Sequence, residues 1–284
     1  LGIELHHDAG TPVWMSEHGR MQVQREQALE HEGADAARPG SEKNAHSPHP
    51  FPRVASFRSR RSALSGLQKE TWDERWPELG MQARDSDGNL SGPLDAEAWF
   101  GRSAPLVLEI GCGTGVSTLA MAAAEPALDV IAVEVYRRGL AQLLNGIDRD
   151  DLHNVRLIRG DGVDVLEHLL APASLIGARV FFPDPWPKAR HHKRRLLQPG
   201  TVALLADRLQ PGGILHAATD HPGYAEQIGE VGDAEPTLRR LDADAISAPE
   251  GTLPISVRRP VTKYEDKARH AGSAVAEFLW EKRP

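Results

Sequence analysis

Cysteine is nearly absent. Cys112 is the single one in 284 residues, which excludes a disulfide framework and a cysteine-built zinc site. Long apolar runs are missing too. None approaches the ~18 residues that span a bilayer, and no signal-like apolar stretch follows the N-terminus, so a cytoplasmic protein with no membrane partner is the expectation. An excess of positive charge is also lacking: Lys and Arg number 33 against 40 Asp and Glu, a formal net charge of -7. A uniformly basic nucleic-acid coat is thereby excluded. A nucleic-acid partner is not, because binding depends on where the cations sit. The length and the 40% apolar content suit one α/β domain with an extension, not two full domains.

The first fifty residues have no periodic apolar pattern. They hold eight acidic and four basic residues and six of the thirteen histidines. Such a stretch buries too little apolar surface to offset its ordering entropy, so 1–50 reads as a disordered extension. Its histidines are irregularly spaced, and no metal site is expected. A basic arm and helical segment over 51–104 and a domain over 105–284 should follow. Residues 51–284 carry 29 basic and 32 acidic side chains, and the cations cluster. Arg53, Arg58, Arg60 and Arg61 form one group. Lys188, Arg190, Lys193, Arg194 and Arg195, with His191 and His192 between them, form a second. Arg258, Arg259, Lys263, Lys267 and Arg269 form a third. One such group alone reads as a solvated face; three around one core ask for a joint reason.

From residue 62 the apolar spacing turns helical, with Leu64, Leu67, Trp72, Trp76 and Leu79 on one face and Pro77 and Gly80 at its end. Beyond 105 short apolar runs alternate with helical stretches. Strands are predicted over 106–110, 130–135, 155–158, 180–182 and 214–218. Helices are predicted over 116–125, 137–148 and 163–170, and from Pro199 through Leu209. This order predicts a mostly parallel sheet with helices on both faces, whose ligands sit beyond the carboxyl ends of the strands.

The strand ends carry the chemistry. The first runs into Glu109-Ile-Gly111-Cys-Gly113-Thr-Gly115, where glycines allow a sharp turn and close approach of a ligand to the main chain. The following helix points its first amides into the same space. Glu134 ends the second strand, placed to accept both hydroxyls of a ribose. Gly160-Asp161 ends the third. A dinucleotide loop wants Gly or Ala three residues after Gly113, and Val116 stands there, which disfavours an NAD oxidoreductase. Cys112 is read as a buried spacer, since no basic partner is near it in sequence. The fourth strand leads into Pro183-Asp184-Pro185-Trp186-Pro187-Lys188, a stiff loop with the densest cationic run directly after it. A rigid acidic pocket beside such a run suits a base presented on a phosphate backbone. Trp186 is either a stacking platform for that base or core packing. His221, after Asp220, is read as a helix start.

The glycine loop with its two acids resembles the first motif of class I S-adenosylmethionine-dependent methyltransferases, and so implies a Rossmann-like fold of that class. The segment PDPWPKARHHKRR, residues 183–195, resembles the signature of the bacterial tRNA (guanine-N7-)-methyltransferase family, the TrmB family. Further matches lie in order: the Arg-rich 56–61 with its helix to Trp76-Pro77, Glu134-Val-Tyr136 with Gly139, Thr219-Asp220, and Thr262-Lys263-Tyr264-Glu265. The resemblance covers about residues 53–283. It implies methyl transfer from S-adenosyl-L-methionine, leaving S-adenosyl-L-homocysteine, to N7 of a guanine in the tRNA variable loop (position 46). Glu109, Gly111, Gly113, Gly115, Glu134, Asp161 and Asp184 fall on cofactor positions, with Asp184 also the implied catalytic residue. Lys188, Asp220, Thr262, Lys263, Tyr264 and Glu265 fall on substrate positions. Arg190, His191, His192, Lys193, Arg194 and Arg195 fall on the RNA-contact segment. Tyr264 replaces the usual Phe; Ala268 and Ser273 stand where the family has Gly and His.

No metal and no obligate protein partner are implied, and the chain is expected as a monomer or homodimer. Two other readings stand beside this one. The first is a class I methyltransferase acting on another RNA, a protein or a small molecule; a protein or small-molecule substrate leaves the cationic clusters without a purpose. A non-catalytic RNA-binding protein predicts a broken cofactor site, yet the loop and both strand-end acids are intact.

Overall fold

The computed structural model describes residues 57, 63–247, 249, 251–261, 265 and 274–284. All lie in the unit Phe51–Pro284. The extension over 1–50 and the cluster Arg53, Arg58, Arg60 and Arg61 fall outside the described residues, as do Thr262, Lys263, Tyr264, Lys267, Ala268, Arg269 and Ser273.

Eight strands form one sheet: β1 (Gly80–Gln82), β2 (Leu106–Ile110), β3 (Asp129–Glu134), β4 (Val155–Arg159), β5 (Leu175–Phe181), β6 (Leu209–Thr219), β7 (Leu238–Arg240) and β8 (Ala276–Lys282). Their spatial order is β1-β4-β3-β2-β5-β6-β8-β7. The pairings from β1 across to β6 are parallel; β8 runs antiparallel to both β6 and β7. The chain winds outward from β2 through β3 and β4, then returns and winds the other way through β5 and β6. The ends of β2 and β5 therefore flank the switch point where such sheets bind ligands.

The helices are α1 (Gly66–Leu79), α2 (Ala96–Phe100), α3 (Val116–Ala124), α4 (Arg137–Arg149), α5 (Gly162–Asp164), α6 (Pro199–Arg208) and α7 (Pro222–Ala234). Ser65 starts α1 with a reciprocal capping box to Gln68. Pro222 opens α7 at a position whose N–H has no intrahelical partner in any case. Alternate strand residues feed two cores. Val107, Val130, Ala132 and Leu157 pack with Trp72 of α1 and with Leu140, Leu143, Leu144 and Ile147 of α4. Leu108, Ile110, Ile131 and Val180 pack with Leu205 of α6 and Ile228 of α7 on the other face. Each large aliphatic side chain buried this way contributes about 1.5–3 kcal/mol.

Three predicted elements differ, among them β6, which begins at Leu209, five residues before its predicted start. Strand β5 begins at Leu175, five residues before the predicted start. Gly177 and Arg179 interrupt the apolar run there, yet both are buried, Gly177 beneath Ile255 and Arg179 in an ion pair. The helix expected over 163–170 is a single α-turn followed by a π-turn, Val165–Leu169. The wider turn still buries Val165, Leu166 and Leu169. Among the described residues no helix is long and apolar enough to cross a membrane.

Candidate active site

Five strand ends converge on the switch point. After β2 the loop passes through Gly111, Gly113 and Gly115 at φ of 80°, 58° and 81°, left-handed values that a Cβ disfavours. The loop is held from two sides. The Gly111 amide donates to the Val133 carbonyl at 2.8 Å. The Glu134 carboxylate accepts from the amides of Gly113 (3.0 Å), Val135 (2.7 Å) and Tyr136 (2.9 Å). Helix α4 comes so near that a Cβ on Gly139 would lie 2.2 Å from the Gly113 carbonyl oxygen. On the open side a Cβ at Gly111 or Gly113 would meet no protein atom within 4 Å. Gly115 caps α3 with no side chain bonded to the first-turn amides, which leaves donors for an anionic group.

Glu109 lies under this loop, 3% exposed. Burial pushes its carboxyl up, and the Arg179 charge pulls against that shift. Its Oε2 meets no hydrogen-bond donor among the described residues. Asp161 caps α5 by accepting from the Val163 amide at 3.0 Å. An open glycine cradle, uncapped helix amides and the buried Glu109 carboxylate beneath them fit an amino-acid–ribose ligand such as S-adenosylmethionine. Cys112 is buried, and burial keeps its thiol well above the ordinary range. It is a spacer, as expected.

Opposite the loop, β5 ends in backbone strain. Phe182 (φ 50°) and Trp186 (φ 43°) both sit in the left-handed region, at roughly 1–3 kcal/mol each. Asp184 lies between them, half-buried. Lys188 is exposed and precedes a 3-10 turn, Ala189–Arg194, that carries the cationic run. At the end of β6, Thr219 is buried and Asp220 exposed. His221 starts α7, its Nδ1 accepting from the Tyr224 amide at 3.2 Å, which is the helix-start role expected of it.

A cavity of about 340 Å³ lies elsewhere, at the far end of α3, lined by Glu125, Ile255, Ser256 and Arg258 among others. None of the expected site residues lines it. Among the described residues no group of three or more His, Cys, Asp or Glu stands ready to hold a metal ion.

A family model described as a putative methyltransferase matches residues 103–278. A tRNA (guanine-N(7)-)-methyltransferase of Mycolicibacterium gilvum (strain PYR-GCK) is 62% identical over 275 residues, covering 95% of this chain and 100% of its own. One from Mycobacterium sp. (strain KMS) is 68% identical over 238 residues, 84% of each chain. One from Mycobacterium avium (strain 104) is 60% identical over 272 residues, 95% of this chain and 100% of its own. The chain belongs to the tRNA (guanine-N(7)-)-methyltransferase family.

In this methyltransferase the fold buries two expected contacts, Arg195 and Glu265, and packs Trp186, for which packing was one of two readings. Arg195 does not face outward with the rest of the run. It is 3% exposed and bonded within the protein, because the 3-10 turn ends there and aims it at α7. Trp186 packs instead of offering an open face: it is 6% exposed, with the Arg194 guanidinium 4.9 Å above its ring and His191 at its edge. Glu265 is buried against Arg259, which donates to both of its carboxylate oxygens. Arg190 and Lys193 are exposed, His191, His192 and Arg194 partly so.

Sequence reading missed the side chains that support β5 and β6. Arg179 donates to Glu125 at 2.5 Å and to the Ser256 carbonyl at 3.1 Å. His216 Nε2 meets Glu277 Oε1 at 2.5 Å, and Glu277 also accepts from Arg259. A carboxylate only accepts, so the His216 proton sits on Nε2. The Arg259 guanidinium lies 5.0 Å from the Phe182 ring, directly before the strained loop. The one available signal was polar residues at strand positions that alternation assigns to the interior.

Proposed function

We propose that this chain methylates N7 of a guanine in the tRNA variable loop, position 46, with Asp184 as the catalytic carboxylate. Family membership gives the reaction class; the site and the residue roles are this proposal's own. S-adenosylmethionine supplies an electrophilic methyl group. N7 carries an in-plane lone pair and has no proton to lose, so a general base is not needed. What the protein must do is align the base with the methyl group and exclude water, which is chiefly positioning. Asp184 accepts from guanine N–H donors and favours the positive charge that develops on the ring. Glu109, Glu134 and the Gly111–Gly115 loop hold the methyl donor. Lys188, Arg190 and Lys193, exposed beside Asp184, meet the phosphates and fix the register of the tRNA.

The observation that carries this reading is the position of Asp184. It stands between two strained residues at the end of β5, across the switch point from the glycine loop. The test is tritiated-methyl transfer to unmodified tRNA, with and without a guanine at the variable-loop position. Label that depends on that guanine supports the assignment, and equal labelling of both tRNAs overturns it.

A further inference from the structure

We infer that Arg195, in the middle of a run that reads as an RNA contact, is a strut that sets the position of Asp184 relative to Asp220. Its guanidinium reaches in two directions. Toward β5, Nε donates to the Pro185 carbonyl at 2.9 Å. Toward α7, Nη1 donates to the Gly223 carbonyl at 2.9 Å and to Gln227 Oε1 at 2.8 Å. Nη2 meets His192 Nε2 at 3.1 Å, and the plane lies 4.8 Å from the Tyr224 ring centroid. The Tyr224 hydroxyl in turn accepts from the Leu197 amide at 3.0 Å, which ties the end of the run to the same helix.

Pro185 follows Asp184 directly, and its carbonyl belongs to the peptide that enters Trp186. Holding that carbonyl fixes the peptide plane that gives Trp186 its left-handed φ of 43°. Gly223 lies three residues after Asp220, in the first turn of α7. One side chain therefore spans the loop that bears the catalytic acid and the helix start that follows the second acid. Arginine suits this task because its fork offers five donors in fixed directions, which lysine lacks. Among the described residues no carboxylate pairs with Arg195, so its charge is kept inside by directed bonds alone. A phosphate contact would have no reason to bury it.

This inference rests on the reading of Asp184 as catalytic, and it predicts a split within the cationic run. A phosphate contact tolerates a change from Arg to Lys, since the charge remains; a strut does not. Arg195→Lys is expected to lower kcat about ten- to a hundredfold, as a small misplacement of a reacting group does. The KM for tRNA should stay within about twofold and its salt dependence should not change. Lys193→Gln, at an exposed position, should instead raise the KM for tRNA and reduce the salt slope by about one. Gln227→Leu removes one anchor of Arg195 from the α7 side, together with the bond Gln227 Nε2 donates to the Leu197 carbonyl, and leaves residues 188–195 unchanged. It should lower kcat about threefold or more at unchanged KM, and it decides the matter if Arg195→Lys does not fold. An Arg195→Lys enzyme that keeps its kcat overturns the strut. So does a Gln227→Leu enzyme with kcat unaltered, or a loss in Arg195→Lys that lies in KM and salt slope. A wild-type chain without activity on tRNA would overturn the parent reading first, and is told apart by that control.

Discussion

The two halves of the sheet hold their parts of the site by different means. On the side of β2, β3 and β4 the main chain does most of the holding. Glycines shape the loop, and Glu134 grips it through three backbone amides no more than 21 residues away. On the side of β5, β6 and β8 buried side chains do it. Arg179 reaches Glu125 across 54 positions, His216 reaches Glu277 across 61, and Arg195 reaches Gln227 across 32. A backbone cradle needs few particular side chains beyond glycine and an acid. A buried ionic scaffold needs each partner in place, because removing one leaves the other charged, dry and unpaired. The half proposed to bind the methyl donor is thus built from general parts, and the half proposed to present the reacting base from specific ones.

That contrast can be broken from either side. Arg179→Met should have the largest effect, about 3–5 kcal/mol of stability lost, since it strands Glu125 and removes a fully buried cation; urea unfolding measures it. Asp184→Ala should lower kcat about a hundred- to thousandfold, with any loss of S-adenosylmethionine affinity read by calorimetric titration far smaller than the loss in kcat. An Asp184→Ala enzyme with near-native turnover would remove that residue from the catalytic role. Gly139→Ala attacks the backbone side. Its Cβ would collide with the Gly113 carbonyl, at about 1–3 kcal/mol, and the expected loss falls on donor affinity far more than on tRNA KM.

A smaller effect concerns pH. Burial lowers the pKa of His216, against the opposing pull of Glu277, while the charges of Arg179 and Arg259 lower it further. The unfolded chain then binds the extra proton more readily than the folded one near the ordinary histidine value of about 6.5. Stability is therefore fully present above that pH and declines as pH falls below it. Glu277, whose own pKa is lowered mainly by His216 and Arg259 against its burial, adds a second loss below the ordinary carboxylate range. Replacing His216 by Gln should flatten the first step in a series of melting curves from pH 8 to pH 5 and shrink the second, since His216 is one of the groups that hold the Glu277 pKa down.

What could be read from sequence divides along the same line. The glycine loop, the strand-end positions of Glu134 and Asp161 and the five parallel strands β2 to β6 were legible, because each is a local pattern whose meaning depends on neighbours a few residues away, whereas the outer strands β1, β7 and β8 were not read. The burial of Arg195 and Glu265 was not legible, and Trp186 stayed open between stacking and packing. Residue type makes Arg195 an RNA contact, and only the 3-10 turn before it decides that it points inward. Arg179 and His216 were passed over because a buried charge looks like a surface residue until its distant partner is in place. The early start of β5 was hidden for the same reason.

The grip of Glu134 on the loop bears on how the methyl donor arrives. The loop is held in shape by the domain's own bonds, the Glu134 carboxylate accepting from the Gly113, Val135 and Tyr136 amides. Association then needs no slow rearrangement on that side, and most of the conformational entropy of the cradle is already spent. Donor binding should behave as a near rigid-body encounter.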